Sequence, residues 1–171
     1  MEELNQNAEK SVEIVCFTGH REIPDEEMER LPGLLERVLG ELYARGARVF
    51  RTGGAQGFDT MAALAVLNMK ETCPDVELEL VLPCRDQTEG WDVAAVQTYH
   101  YIMQKADFCD FLFDHYIEGC MQERDRALVE GGDVCVAYCA RSQGGTAFTF
   151  AYAMQEGLEV INLHDMMEDL N

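Results

Sequence analysis

Arg51-Thr52-Gly53-Gly54-Ala55-Gln56-Gly57-Phe58-Asp59-Thr60 is the stretch from which the rest of the chain is read. Ala47-Arg48-Val49-Phe50 before it is short and apolar, as a strand is, and Met61 to Leu67 after it reads as a buried helix. Glycines at 53, 54 and 57 between a strand and a helix let the backbone turn sharply and approach a ligand closely. The first amides of the following helix lack internal partners and carry the positive end of its dipole, which suits an anion, most often a phosphate. The spacing matches neither G-x-G-x-x-G nor G-x-x-x-x-G-K-[ST]. On these residues alone, a tight turn with Asp59 capping the helix is an equal alternative.

Around this stretch lie 171 residues, a length that suits one domain, with the ordinary globular balance of 47% hydrophobic and 26% charged residues. The charge is not ordinary: 13 basic against 32 acidic residues leave −19. Nucleic acid is bound largely by neutralising phosphates, so no nucleic acid is expected as a partner. Anionic membranes are not expected either. A phosphate ligand must be held by local dipoles and a few arginines, against the field of the whole molecule. The seven cysteines form no regular framework, and Cys16, Cys84 and Cys135 fall in or beside apolar runs. Cys135 and Cys139 lack the second ligand pair that a tetrahedral site needs, so no metal is expected. Met1 to Lys10 is polar without an apolar signal core, and no run approaches membrane-span length; a reducing cytoplasm is the expected location.

In chain order, residues 1–11 read as a frayed tail. Val12 to Phe17 reads as the first strand, ending in Thr18-Gly19-His20-Arg21, whose potential donors suit an anion or a sugar edge. Pro24 and the acids after it start a helix with Leu31, Leu34, Leu35, Val38, Leu39 and Leu42 on one stripe. Pro32 is expected to kink or restart it, and Gly46 to close it. Val76 to Leu82 reads as a strand near the edge of a parallel sheet. It leads into the polar connection Pro83 to Trp91, in which Asp86 and Glu89 have capping-box spacing. A helix from Asp92 to Lys105 follows. Asp107 to Phe113 reads as a core strand because of its aromatics. Cys120 to Glu130 is a short helix, Asp133 to Tyr138 a strand, and Gly144-Gly145-Thr146 a second glycine turn before the helix Ala147 to Gln155. Glu159 to Leu163 is the last strand, and His164 to Asn171 reads as a mobile acidic tail.

Strands alternating with helices predict an α/β, Rossmann-like, doubly wound and mostly parallel sheet with helices on both faces, over residues 12–163. Right-handed crossovers place every strand end that leads into a helix on one rim. Residues 18–21, 53–59, 83–91 and 144–146 therefore converge, where ligands of open α/β sheets bind.

These residues resemble the SLOG superfamily, the Rossmann-like group of the DNA-processing protein DprA and the LOG nucleotide hydrolases, and within it the YpsA-like branch. The resemblance rests on Thr18-Gly19-His20-Arg21, on Gly53-Gly54-Ala55-Gln56-Gly57-Phe58-Asp59, on Pro83-x3-Gln87-x3-Trp91, and on Arg124 through Asp133 followed by Gly144-Gly145-Thr146. It implies a site for a nucleotide, NAD or an ADP-ribose derivative. LOG enzymes carry P-G-G-x-G-T-x-x-E with a catalytic glutamate; Thr149 stands in that place, which counts against their hydrolysis.

The leading reading is a nucleotide-binding sensor or regulator without turnover. Phosphates would lie on the amides of Gly53, Gly54, Gly57 and Gly144 to Thr146, with charge from Arg21, Arg85 and Arg124. Thr18, Gly19, His20, Gln56 and Gln87 would line the site. Asp59 would cap its helix or accept from a ribose hydroxyl, and Phe58 or Trp91 would pack near the base. No cofactor is required, and a homo-oligomer stays open. The alternatives are a nucleotide or ADP-ribose hydrolase, with Asp59, Asp86, Asp125 or His20 as acid or base, and a protein-interaction module.

Overall fold

A computed structural model describes residues 11–169. Its elements run β1 (Ile14–Gly19), α1 (Asp25–Ala44), β2 (Val49–Thr52), α2 (Phe58–Thr72), β3 (Glu77–Cys84), α3 (Val93–Lys105), β4 (Phe108–Phe113), α4 (Cys120–Val129), β5 (Val134–Tyr138), α5 (Gly145–Gln155), β6 (Glu159–Asn162) and α6 (Leu163–Glu168). The six strands form one sheet in the order β4-β3-β2-β1-β5-β6, and each neighbouring pair is parallel. This is the α/β Rossmann-like sheet that the alternating pattern predicts. From β1 the chain steps outward through β2, β3 and β4, then returns to the other side of β1 for β5 and β6. The switch in strand order thus falls between β1 and β5, where Thr18 pairs with Ala137 and Gly19 with Tyr138.

Alternation along the strands divides the core in two. Phe17, Phe50, Leu78, Leu80, Leu82, Val136 and Tyr138 face α1, α2, α3 and α6 in the larger cluster. Cys16, Val81 and Cys135 face Leu128 and Val129 of α4 and Ala153 of α5 in the smaller one. The predicted leucine stripe of α1 is buried throughout. Pro32 does not restart the helix: α1 runs continuously through it. Pro32 and Met28 are on the exposed side, so the carbonyl that proline leaves without a partner faces solvent.

Three expectations are corrected. Residues 164–169 are not a tail, because α6 packs Leu163 and Met167 into the larger core; residues 1–10 and 170–171 lie outside the described residues. Asp107 to Phe113 does not run through the core: β4 is an edge strand, and its Phe108 is 65% exposed. Asp86 and Glu89 do not cap α3; the cap is Asp92, whose side chain accepts from the Ala95 amide at 2.8 Å. All seven cysteines are free. Among the described residues no helix is long and apolar enough to cross a membrane.

Candidate functional site

The turns after β1, β2, β3 and β5 meet on one rim and are bonded to one another. The His20 amide donates to Tyr138 O at 3.3 Å, and the Ala140 amide donates to His20 Nε2 at 2.8 Å, tying the β1 turn to the β5 turn. The Phe58 amide donates to His20 O at 3.1 Å, tying in the β2 turn. Gly57, at φ 82°, lies so close to Arg21 that a Cβ there would stand 2.1 Å from the Arg21 carbonyl oxygen. From the β3 side, Gln87 Nε2 donates to Gly53 O at 3.4 Å, and Arg124 Nη1 of α4 donates to the same carbonyl. Asp125 brings α4 to α5: its Oδ2 lies 3.9 Å from where a Cβ on Gly145 would stand.

The candidate residues then separate by what they touch. Arg21 is exposed at the rim, and its Nη2 donates to the Gln56 side-chain oxygen at 2.7 Å when that amide is oriented towards it. The same oxygen accepts from Trp91 Nε1 at 3.3 Å, so Gln56 joins the β1, β2 and β3 turns. Gly144, at φ 101°, and Gly145 and Thr146 open the exposed start of α5, where no side chain caps the helix. Thr18, Gly19 and His20 sit at the floor: Thr18 and His20 are buried, and a Cβ on Gly19 would stand 2.3 Å from the Phe58 ring.

Others do not face the rim's open side. Phe58 cannot pack on a base, because it is fully buried beside Phe17 and Tyr138, at 6.4 and 6.0 Å between ring centroids. Trp91 is half-buried, edge-on to Tyr99 at 5.6 Å. Arg85 turns to β4, with its guanidinium 4.4 Å from the Phe111 ring centre and 3.2 Å from Asp114 Oδ1. Arg124 is buried, with Nε on Asp125 Oδ1 at 2.8 Å and Nη1 on Gly53 O, so it braces the β2 turn. Gly54, at φ 72°, faces inward, where a Cβ would stand 2.4 Å from Leu82 Cδ2. The α2 start is also less open than its glycines suggest. The Gly54 amide donates to Thr52 Oγ1 at 3.3 Å and the Ala55 amide to Asp59 Oδ2 at 3.1 Å, while the Phe58 amide is held by His20. Asp59 accordingly closes the turn from within the first turn of α2, with Gly57 in the cap position.

The electrostatics are those of a buried polar floor. Burial pushes the Asp59 carboxyl up to about 6, against the pull of the Arg124 guanidinium and the Ala55 amide, with nearby Asp125 adding to the rise. Burial likewise raises Asp125, opposed by Arg124. His20 is held below the ordinary imidazole value, chiefly by burial and then by Arg141 and His164. It therefore accepts the Ala140 amide as a neutral ring and is a brace, not a cation offered to a phosphate. Asp125 also reaches the Thr149 hydroxyl, and that hydroxyl donates to Gly145 O at 2.9 Å. A carboxylate from α4 thus stands beside the α5 position that holds threonine.

One feature was not foreseen. A cleft of about 520 Å³ opens beside the rim, over the first turns of α2 and α3, and Gln56 and Gly57 are shared between the two. Its sequence signal is an outward-facing apolar pair on α2, Met61 and Leu64, opposite the inward Ala62, Ala63 and Val66.

Comparison with known proteins accords with this geometry. A UPF0398 protein of Halalkalibacterium halodurans is 27% identical over 140 residues, covering 77% of this chain and 74% of that protein. A UPF0398 protein of Staphylococcus saprophyticus is 25% identical over 138 residues, covering 80% of this chain and 73% of that protein. Among solved structures, DNA processing protein A (DprA) from Streptococcus pneumoniae superposes with a TM-score of 0.62 at 19% identity, over 87% of this chain and 49% of that one. DprA from Helicobacter pylori superposes with a TM-score of 0.60 at 18% identity, over 88% of this chain and 64% of that one. This chain thus spans about half to two thirds of the DprA chains. The Helicobacter structure is described by its single-stranded DNA binding mode, which corrects the expectation that nucleic acid is excluded. Net charge is a property of the whole surface, and a strand can be held by local dipoles and a few cations on one rim. The YspA SLOG family model matches residues 9–165, and the chain belongs to that family.

Proposed function

We propose that this protein binds a nucleotide-type ligand by its phosphates on the rim between β1 and β5, as a sensor or regulator. The observation that carries the reading is the start of α5. Gly144 occupies the cap position with no side-chain cap, the turn is exposed, and the turns carrying Arg21 and Arg141 lie beside it. Unpaired helix amides and guanidinium groups are the two phosphate-binding devices that an acidic molecule can offer locally. Single-stranded nucleic acid also presents anionic phosphate oxygens, and the Helicobacter neighbour binds it, so an oligonucleotide belongs among the probes. Turnover is a second reading, favoured by two carboxyls that burial holds above their ordinary value, Asp59 and Asp125, the latter beside Gly145.

Titration calorimetry and thermal shift with ATP, NAD, ADP-ribose and a short deoxyoligonucleotide test this, with chromatography of the recovered ligand reporting turnover. A probe at a hundredfold excess over its Kd stabilises the native state by about 2.7 kcal/mol. Gly145→Val is the variant of choice. Its backbone is not left-handed and a Cβ meets only Asp125 Oδ2 at 3.9 Å, so the fold tolerates it while the phosphate seat is blocked. Gly54→Val is unsuitable, because its side chain would collide with Leu82. Loss of every thermal shift in Gly145→Val at unchanged melting temperature is the expected result. No shift with any probe in the wild type, or shifts that survive the substitution, would refute the seat.

A further inference from the structure

We propose that the cleft over α2 and α3 seats the base of this nucleotide and selects a base that carries an exocyclic amine. The inference rests on the phosphate reading above, and it answers a question which that reading leaves open. Phe58 is in the core and cannot stack on a base, and Trp91 is half-buried against Tyr99 with its Nε1 on Gln56.

The cleft's volume of about 520 Å³ lies in the ordinary range of small-molecule sites, roughly 300–1,000 Å³. Its floor is one stripe of α2, Thr60, Met61 and Leu64; Met28 of α1 and Ala95 and Thr98 of α3 form its sides. Met28 and Leu64 are 46% and 39% exposed, so apolar surface is open to water beside the rim. A flat ring laid on that stripe removes it from water. Helix α2 is apolar on both sides, with Ala62, Ala63 and Val66 on the sheet and Met61 and Leu64 outward. A helix of that kind is one that expects cover on both sides.

The polar atoms around the stripe define what can be read there. Gln56 spends its oxygen on Arg21 Nη2 and Trp91 Nε1, which leaves Nε2 as the group able to donate into the cleft. The Thr60 hydroxyl donates to Ala55 O at 3.0 Å and the Thr98 hydroxyl to Ala94 O at 3.1 Å, so both can only accept from a ligand. One donor and two acceptors match a base with a ring-nitrogen acceptor and an amine. A base with a carbonyl in place of the amine would set its oxygen against hydroxyl lone pairs, leaving both unpaired. Reach defines the rest of the ligand. Gln56 is on the β2 turn and Gly144 on the β5 turn, two strand spacings apart across β1, or about 10 Å along the rim. Helices α2 and α5 lie on opposite faces of the sheet, so the ligand must also cross the sheet's edge, and a monophosphate seated in the cleft leaves the α5 start empty.

The experiment is calorimetry of the full chain with ATP, ITP and inorganic tripolyphosphate, on the wild type and on Leu64→Trp, with Ala95→Leu as a second cleft-filling variant. Leu64 is partly exposed, so the larger ring fills the cleft without entering the core. The expected result is ATP binding at least about tenfold more tightly than ITP or tripolyphosphate. Cleft filling should cut ATP affinity by a similar factor and leave tripolyphosphate unchanged. Equal binding of ATP and tripolyphosphate by the wild type, or wild-type ATP affinity in both variants, overturns the base assignment while the phosphate reading stands. Binding of neither probe by the wild type removes the phosphate reading, and this inference falls with it.

Discussion

Asp59 sits in the first turn of α2, 6% exposed, with Oδ2 on the Ala55 amide and its carboxyl pushed up to about 6 by burial. A carboxyl whose folded value lies above its unfolded one holds its proton more tightly when folded. Its contribution is therefore fully present below the ordinary value of 3.8 and is lost as pH rises through about 6. Asp59→Asn keeps an oxygen for the Ala55 amide and carries no charge. It should match the wild type near pH 4 and exceed it at pH 7.5 by on the order of 1–3 kcal/mol, read from urea midpoints at the two pH values. A wild-type and variant difference that does not change with pH would show that the carboxyl is ionised throughout. The sequence supports a ligand or cap role for Asp59 at this position, but not the burial, which depends on α4 bringing Arg124 and Asp125 against the same turn. Gly54 is similar: its identity is legible as a turn residue, but Leu82 on the neighbouring strand is what excludes a side chain there.

Helix α6 is the element that local pattern hides. Leu163 to Glu168 is short and acidic, with too few turns to display a period. It is held by Asn162, whose side-chain oxygen accepts from the amides of His164 and Cys139 at 3.2 and 3.1 Å. Arg30 of α1 donates to Met167 O at 3.4 Å. Met167→Ala should therefore cost about 2–5 kcal/mol in urea unfolding, the range of a truncated core side chain. A cost near zero would mean that the segment does not pack. The edge position of β4 is hidden for the opposite reason. Phe108, Phe111 and Phe113 make the run look central, and only the strand order, with β3 on one side alone, leaves Phe108 in solvent.

Across the whole molecule a net charge of −19 shares a small surface, and among the described residues the pairs Arg37–Glu41, Arg48–Asp75, Arg85–Asp114 and Arg126–Glu123 have both side chains more than a third exposed. Exposed pairs contribute little, about 0–1 kcal/mol each, so self-repulsion is the larger electrostatic effect. Raising NaCl from about 0.05 to 0.5 M shortens the screening length severalfold and should raise the melting temperature by a few degrees. A melting temperature that falls with salt would point instead to stabilising ion pairs. The alternation of strands and helices carried most of the fold into view, because hydrophobic period is a local property. The rim was legible for the same reason: right-handed crossovers put successive strand ends on one side.

Sequence alone determined that this chain is a parallel α/β sheet with glycine turns gathered on one rim, since periodicity, turn residues and crossover handedness are written into neighbouring residues. Tertiary structure decided which atoms of that rim remain free. Amides of the β2 turn are taken up by Thr52, Asp59 and His20, Arg124 is spent on Gly53, and Phe58 is drawn into the core. Those outcomes depend on partners far away in sequence: Arg124 is 71 residues from Gly53. A buried hydrogen bond is made wherever folding places its two halves, and no local pattern records that placement.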